Sequence, residues 1–220
     1  MIAKELISDL IPPLKTSDTG AKALAWMHEF GVSHLPIVMG EKFMGLISED
    51  DILDLSDSSQ AIGNHGLSLF KPFVFENVHL FEVIKIAAEL KLTLIPVIDK
   101  DETYLGVITQ ENIIHFFALF SSISDSGGII VLEIKKTDYV LTEIARIVES
   151  NDAYILCSLV TSTDDNAVIE VTLKVNVSDV KHIIATFERF EYTVKASFQE
   201  AEFADQLKDR YAGLMNYLNI

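Results

Sequence analysis

The chain has a single cysteine in 220 residues, Cys157. A lone thiol has no partner within the chain, so the fold does not rest on disulfides. Set inside an apolar run, Cys157 reads as a small buried hydrophobe. Cations are scarce as well: 17 Lys and Arg stand against 33 Asp and Glu, a net charge of −16. Nucleic-acid binding needs clustered Lys and Arg, so DNA and RNA are not expected partners. The same shortage argues against an anionic membrane surface. No apolar run approaches the roughly 18 residues of a membrane span. The first ten residues, MIAKELISDL, carry acids where a secretory segment would be apolar. A cytoplasmic protein is expected. The six histidines are scattered, with no His-x-x-x-His or Cys-x-x-Cys spacing, so no metal site is expected. No nucleophile elbow, Cys-His pattern or acid–base pair can be assembled, so the chain is not expected to be an enzyme.

What the chain does have is a repeat. Residues 34–48 read HLPIVMGEKFMGLIS and residues 94–109 read LIPVIDKDETYLGVIT. Each copy places a proline between apolar residues (Leu35-Pro36-Ile37 and Ile95-Pro96-Val97). Each then turns and closes on glycine, two apolar residues and a hydroxyl, Gly45-Leu46-Ile47-Ser48 and Gly106-Val107-Ile108-Thr109. The copies lie roughly sixty residues apart, the length of one supersecondary block. One such block cannot bury a core alone; two can, and the cleft between them is a natural ligand site. Alternate apolar residues in both copies should therefore be buried, and Pro36 and Pro96 should share one environment.

The periodicity predicts a helix from about Thr19 to Phe30, capped by Ser17 or Asp18 and ended by Gly31. A hairpin follows around Gly40-Glu41, then a helix from Glu49. The second copy predicts a helix from Val78 to Leu90 capped by Asn77, strands Leu94–Ile98 and Tyr104–Ile108, and a helix from Thr109 to about Leu119. The stretch DSSQAIGNHG between the copies reads as a polar connector, and SSISDSGG, residues 121–128, as a linker. Beyond it come a strand from Ile129, a helix over Asp138–Ser150, two strands joined by the turn Thr163-Asp164-Asp165-Asn166, a helix capped by Ser178 or Asp179, and a strand Tyr192–Phe198. The order βαββαβ is that of a ferredoxin-like sandwich. The tail, 199–220, predicts a helix with Phe203, Leu207, Tyr211, Leu214 and Leu218 on one face. The expected division is thus 1–60 and 61–120 for the repeats, 121–128 for the linker, 129–198 for the sandwich and 199–220 for the last helix. The class is α/β in content and α+β in arrangement.

The duplicated segment resembles a tandem CBS-domain (Bateman) module over about residues 1–120. The carrying residues are the two proline strands, each followed by Gly-h-h-[Ser/Thr]-x-x-[Asp/Asn], here Gly45 to Asp51 and Gly106 to Asn112. The resemblance implies adenosine-type ligands between the repeats: AMP, ADP, ATP or S-adenosylmethionine. Carried over by position, one site would use Ser48 and Asp51 with Leu67, Pro72, Leu92 and Thr93. The other would use Thr109 and Asn112 with Ile7, Pro12, Val32, Ser33 and His34. A carboxylate suits a ribose diol, accepting two hydrogen bonds. Asn112 departs from the usual acid and forfeits the charge-assisted gain, which ranks the Ser48 site first. Ser48-x-x-Asp51 is equally a capping box, and the acids at Glu49–Asp51 suit a helix start as well as a cation. Only His34, Lys15, Lys71 and Lys91 are near enough to serve a phosphate, so adenosine or a monophosphate fits better than ATP.

Residues 129–198 resemble an ACT domain, on Leu141 to Val148 and the strand Ala153 to Leu159. Tyr139 and Asp138 stand where ACT amino-acid sites usually have glycine and proline, which argues for dimerisation or docking over amino-acid binding. The order CBS–CBS–ACT is similar to the acetoin-utilisation accessory proteins and related small CBS–ACT regulators. The expectation is a non-enzymatic regulatory homodimer, with a regulated protein partner of unknown identity. It needs no cofactor and senses an adenosine-type ligand. The alternatives are a constitutive interaction protein with empty clefts, or an amino-acid-sensing ACT regulator.

Overall fold

The computed structural model of the chain describes residues 1–55, 57–65, 69–120, 122–163 and 167–199. The chain divides into two compact units, Met1–Phe117 and Ala118 onward.

In the first unit, α1 (Gly20–Phe30) leads into the hairpin β1 (His34–Met39) and β2 (Lys42–Ser48), then α2 (Glu49–Leu53). The second copy repeats this with β3 (Val74–Phe75), α3 (Leu80–Leu90), β4 (Leu94–Ile98), β5 (Tyr104–Thr109) and α4 (Gln110–Phe120). The first copy has no counterpart strand to β3; its place is held by a single parallel bridge, Leu14 to Ile37. The two hairpins share one register. Pro36 lies opposite Leu46 and Ile37 opposite Gly45; Pro96 lies opposite Val107 and Val97 opposite Gly106. Both hairpins shift register one residue later, and both prolines are buried. Leu35, Ile37, Leu46, Ile47, Ile95, Val97, Val107 and Ile108 are each at most 3% exposed. Alternation in the sequence thus becomes one shared core.

Two caps differ from expectation. Thr19, not Ser17 or Asp18, caps α1, its Oγ1 accepting from the Lys22 amide at 3.2 Å. The Asp18 carboxylate is drawn instead to the Lys15 amide at 2.8 Å and the Lys22 ammonium at 2.7 Å. His79, not Asn77, caps α3, with Nδ1 accepting from the Phe81 amide. Gly31 does end α1, in the left-handed conformation at φ 64°, and Lys91 holds the same position after α3 at φ 52°.

The leading segments of the two copies are exchanged. Residues 1–8 hydrogen-bond to the second copy: the Ala3 amide donates to the Val78 carbonyl, Lys4 to Glu76 and Ser8 to Val107, all at 2.8–2.9 Å. Residues 58–63 and Phe70 hydrogen-bond to the first copy: Ala21 donates to Ser58, Ile62 to Asp18, Gly63 to Thr16 and Leu46 to Phe70. The expected polar connector is therefore structural, with a short 3-10 turn at Ile62–Asn64 and Ile62 only 3% exposed. Ala3 and Leu6 are fully buried in the same core.

Where the hairpins meet, Phe43 and Tyr104, at corresponding positions, stack with ring centroids 6.3 Å apart. The Tyr104 hydroxyl is buried without a hydrogen-bond partner among the described residues, and burial pushes its pKa well up. A buried unmade hydrogen bond costs about 1–3 kcal/mol. Tyr104→Phe should therefore leave stability unchanged or raise it by about 1 kcal/mol in urea melts. A clear loss would mean the hydroxyl has a partner in solution.

The second unit contains β6 (Ile129–Lys135), α5 (Leu141–Glu149), β7 (Ile155–Ser162), β8 (Val168–Val175), α6 (Lys181–Arg189) and β9 (Thr193–Phe198). The sheet order is β7-β8-β6-β9, antiparallel throughout. With helices after the first and third strands, this is the ferredoxin-like arrangement expected from the sequence. Ile130, Leu132, Val171 and Leu173 pack against Ile144, Val148, Ile183 and Phe187, all fully or almost fully buried. The first helix begins at Leu141 and not at Asp138, because Lys136–Asp138 forms its own 3-10 turn. Val180 stands at the N-cap of α6, while Asp179 accepts from the Lys181 amide at 3.1 Å. The last two residues of the expected linker belong to the sandwich: Gly128 donates to Val177 and accepts from Val175. A Cβ on Gly127 would fall 1.9 Å from the Val175 carbonyl oxygen. The middle of the turn at 164–166 and the C-terminal helix expected over 199–220, from residue 200 on, lie outside the described residues.

Candidate ligand cleft between the repeats

The hydroxyl and the acid or amide of each repeat sit where a strand hands over to a helix. After β2, the Ser48 amide and Oγ both donate to Asp51 Oδ2, at 2.8 and 2.6 Å, and the Asp51 amide donates back to Ser48 Oγ at 3.1 Å. This is a closed capping box, and it leaves Asp51 Oδ1 uncommitted among the described residues. After β5, Thr109 Oγ1 donates to Asn112 Oδ1 and accepts from the Asn112 amide at 3.1 Å. Asn112 Nδ2 reaches the Leu6 carbonyl at 3.4 Å, so the exchanged leading segment helps hold this amide in place.

Between the repeats, the Ser33 amide donates to Thr93 Oγ1 at 3.0 Å, and His34 Nδ1 lies 3.1 Å from the same oxygen. The turns before β1 and β4 thereby meet at one hydroxyl. His34 pairs with Ser48 across the hairpin. Burial lowers its pKa, and the Asp51 and Asp50 carboxylates pull the other way. His34 thus stands at the seam, near Asp50 and Asp51 and also against Thr93, just outside the lining of the cleft at Thr109. Thr93, expected with the Ser48 group, touches His34 and also lines the cleft at Thr109.

That cleft has a volume of about 620 Å³, within the usual range for a small-molecule site. Its walls come from both repeats: Val32, Phe30 and Gly31 on one side, Thr93, Thr109 and Asn112 on the other, with Ser8 and Ile11 of the leading segment. Glu111 and His115 stand at its edge on α4. Among the lining residues there is no lysine or arginine. Of the residues expected here, Val32, Thr109 and Asn112 are brought together. Ile7 turns onto Gly106, its Cγ2 lying 2.5 Å from where a Cβ there would be. Pro12 is exposed outside the lining, and Ser33 is exposed beside Thr93. The sequence missed Ser8 and Ile11 of the leading segment, which is held to the second repeat by the bond from the Ser8 amide to the Val107 carbonyl, a contact between residues far apart in the chain. On the Ser48 side, Pro72 and Leu92 are buried. Gln110 Nε2 donates to the Leu92 carbonyl at 3.0 Å. Leu67 lies outside the described residues. Among the described residues, no cluster of three or more His, Cys, Asp or Glu side chains is placed to hold a metal ion. No described helix is long and apolar enough to cross a membrane.

Residues 4–58 and 71–119 match the CBS domain family. The chain carries a tandem pair of CBS domains. The pair is also similar to solved structures. A CBS domain pair/ACT domain protein from Thermotoga maritima is 21% identical, the match covering 54% of this chain and 98% of that one, with a TM-score of 0.48. CBSX2, solved in complex with AMP, is 20% identical over 54% of this chain and 96% of that one, TM-score 0.46. The CBS domain of a bacterial CNNM/CorC family Mg²⁺ transporter, solved in complex with ATP, is 18% identical over 52% and 85%, TM-score 0.42.

Proposed function

We propose that this protein is a non-enzymatic regulator whose CBS pair senses an adenosine-type ligand in the cleft at Thr109 and Asn112. The ligand's binding is passed on through the ACT-like ferredoxin fold of the second unit. The observation that carries this reading is the cleft itself, whose walls come from both repeats and which places a hydroxyl–amide pair at a helix start. Asn112 keeps one N–H and one lone pair for a ribose diol. Glu111 at the edge and the lack of lysine or arginine in the lining favour adenosine or AMP over ATP, whose phosphates would meet a net charge of −16. For the protein to act as a switch, the ligand must bind two arrangements with different affinity.

A thermal-shift panel with adenosine, AMP, ADP, ATP and S-adenosylmethionine tests this. A ligand at a hundred times its Kd should add about 2.7 kcal/mol, with adenosine or AMP ahead of ATP. The missing cations in the lining also favour a second reading, a constitutive interaction protein with empty clefts, and no response to any ligand would select it.

We propose further that the chain is a homodimer. Leu53 on α2 and Ile114 on α4, at corresponding positions of the two repeats, are 65% and 70% exposed, and a two-fold dimer is the commonest way to cover such residues. Sedimentation at micromolar concentration should give twice the 24.5 kDa chain mass. A monomer would refute the dimer and leave the ligand reading standing.

A further inference from the structure

The sheet of the second unit has α5 and α6 on one face only. Register identifies the residues of the other face. Ile129, Val131 and Glu133 of β6 pair with Lys174, Thr172 and Glu170 of β8. Cys157, Leu159 and Thr161 of β7 pair with the same three. On β9, Phe198 pairs with Ile129 and Ala196 with Val131. The face is therefore divided. One end is polar, with Glu133 beside the Glu170–Lys195 ion pair. The other end carries Ile129, Val131, Leu159 and Phe198, with Phe198 58% and Leu159 43% exposed, around Thr172 and Lys174, whose ammonium is drawn to the Gly127 carbonyl at 3.3 Å. The last strand finishes at this end, at Phe198.

We infer that this open face is the docking surface for the chain's own C-terminal segment. The sequence after Phe198 repeats apolar residues at helical spacing, Phe203, Leu207, Tyr211, Leu214 and Leu218. A helix over 203–218 is about 24 Å long, and four strands span roughly 15 Å, so one such helix laid obliquely covers the face. Residues 199–202 are the only tether needed. A tether that short holds the helix beside the Phe198 end at an effective concentration on the order of millimolar or higher. A second copy of the chain would have to supply the same stripe from free solution. The split face also sets the placement, because the stripe has no polar partner to offer the Glu133–Glu170–Lys195 end. It belongs over Ile129, Val131, Leu159 and Phe198.

The only cysteine of the chain, Cys157, stands on this face, beside Leu159, and reports its cover directly. In the full-length protein, Cys157 should react slowly with a maleimide, at a rate independent of protein concentration. In full-length Leu207→Asp/Tyr211→Asp the rate should rise roughly tenfold or more, because labelling follows the population of the uncovered state. Full-length Leu207→Ser should give a smaller rise in the same direction, and circular dichroism should show the sandwich folded in both variants. Gln206→Glu, off the stripe, should change nothing. Equal rates in wild type and the variants would overturn the proposal. Protection that grows with protein concentration would overturn it as well, in favour of a second copy on the face.

Discussion

Gly45→Ala should be one of the most destabilising single substitutions in the protein, and Gly106→Ala a milder version of it. Both glycines sit at φ near +150°, a conformation that residues with a Cβ avoid. Both lie beneath a leading segment exchanged from elsewhere in the chain. A Cβ on Gly45 would lie 2.6 Å from Leu69 Cβ and 2.9 Å from the Phe70 carbonyl oxygen, which accepts from the next residue, Leu46, at 2.8 Å. That oxygen cannot move without breaking the bond between the segment and β2. At Gly106 the nearest atom is Ile7 Cγ2, a side-chain methyl that can swing aside. Backbone strain of roughly 1–3 kcal/mol and overpacking of roughly 1–3 kcal/mol should together cost Gly45→Ala about 3 kcal/mol or more. Urea titration of the two variants checks both size and order. Equal, small losses would mean that the leading segments do not lie on these strands in solution.

Leu6→Ala should cost about 2–5 kcal/mol, as at the centre of a core, although Leu6 is close to the chain's first residue. Terminal residues usually tolerate change. Here Leu6 is fully buried, and the residues around it are tied to Val78, Glu76 and Val107 of the second repeat. The loss should appear in the second repeat as well as the first, because the exchanged segment stabilises the copy it lies on. Lys4→Ala removes only an exposed ion pair with Glu76 and should leave the melt almost unmoved. Amide hydrogen exchange at Val107 and Ile108 locates the effect. Unchanged protection there in Leu6→Ala would contradict the exchange.

The repeated core was legible because its cause is local. Proline strands, glycines and alternating apolar residues recur at fixed offsets, and the burial of Leu35, Ile47, Ile95 and Ile108 follows from that pattern alone. The ferredoxin-like order was legible for the same reason, since each strand and helix declares its own period. The exchange of leading segments was not. DSSQAIGNHG has no period, and its structure comes from tertiary hydrogen bonds to Thr16, Asp18 and Ala21 that no nearby residue announces. The caps failed on a smaller scale. Thr19 and Asp18 are both good cap residues, and the Asp18 carboxylate is taken up by the Lys15 amide on one oxygen and the Lys22 ammonium on the other. The cleft was legible in its motif residues, Thr109 and Asn112, and in Val32. His34 and Thr93 meet at the seam, where the Thr93 hydroxyl joins the two repeats, and one-dimensional correspondence does not register a contact across it. Ranking the two sites by their acid favours Ser48–Asp51; the described cleft of about 620 Å³ lies at Thr109–Asn112, while residues 66–68 on the Ser48 side lie outside the described residues.

The central claim is that a ligand of the adenosine class binds between the repeats at Thr109 and Asn112, and calorimetric titration of AMP into the full-length protein tests it most directly. Asn112→Ala is the informative variant, because the Thr109 hydroxyl still caps α4 through the backbone amide of residue 112. The account predicts a saturable binding event in wild type. Asn112→Ala should weaken it about fivefold, the worth of one neutral hydrogen bond of roughly 1 kcal/mol, with the melting curve of the ligand-free protein little changed. Absence of AMP binding, or an affinity that Asn112→Ala leaves untouched, would contradict it.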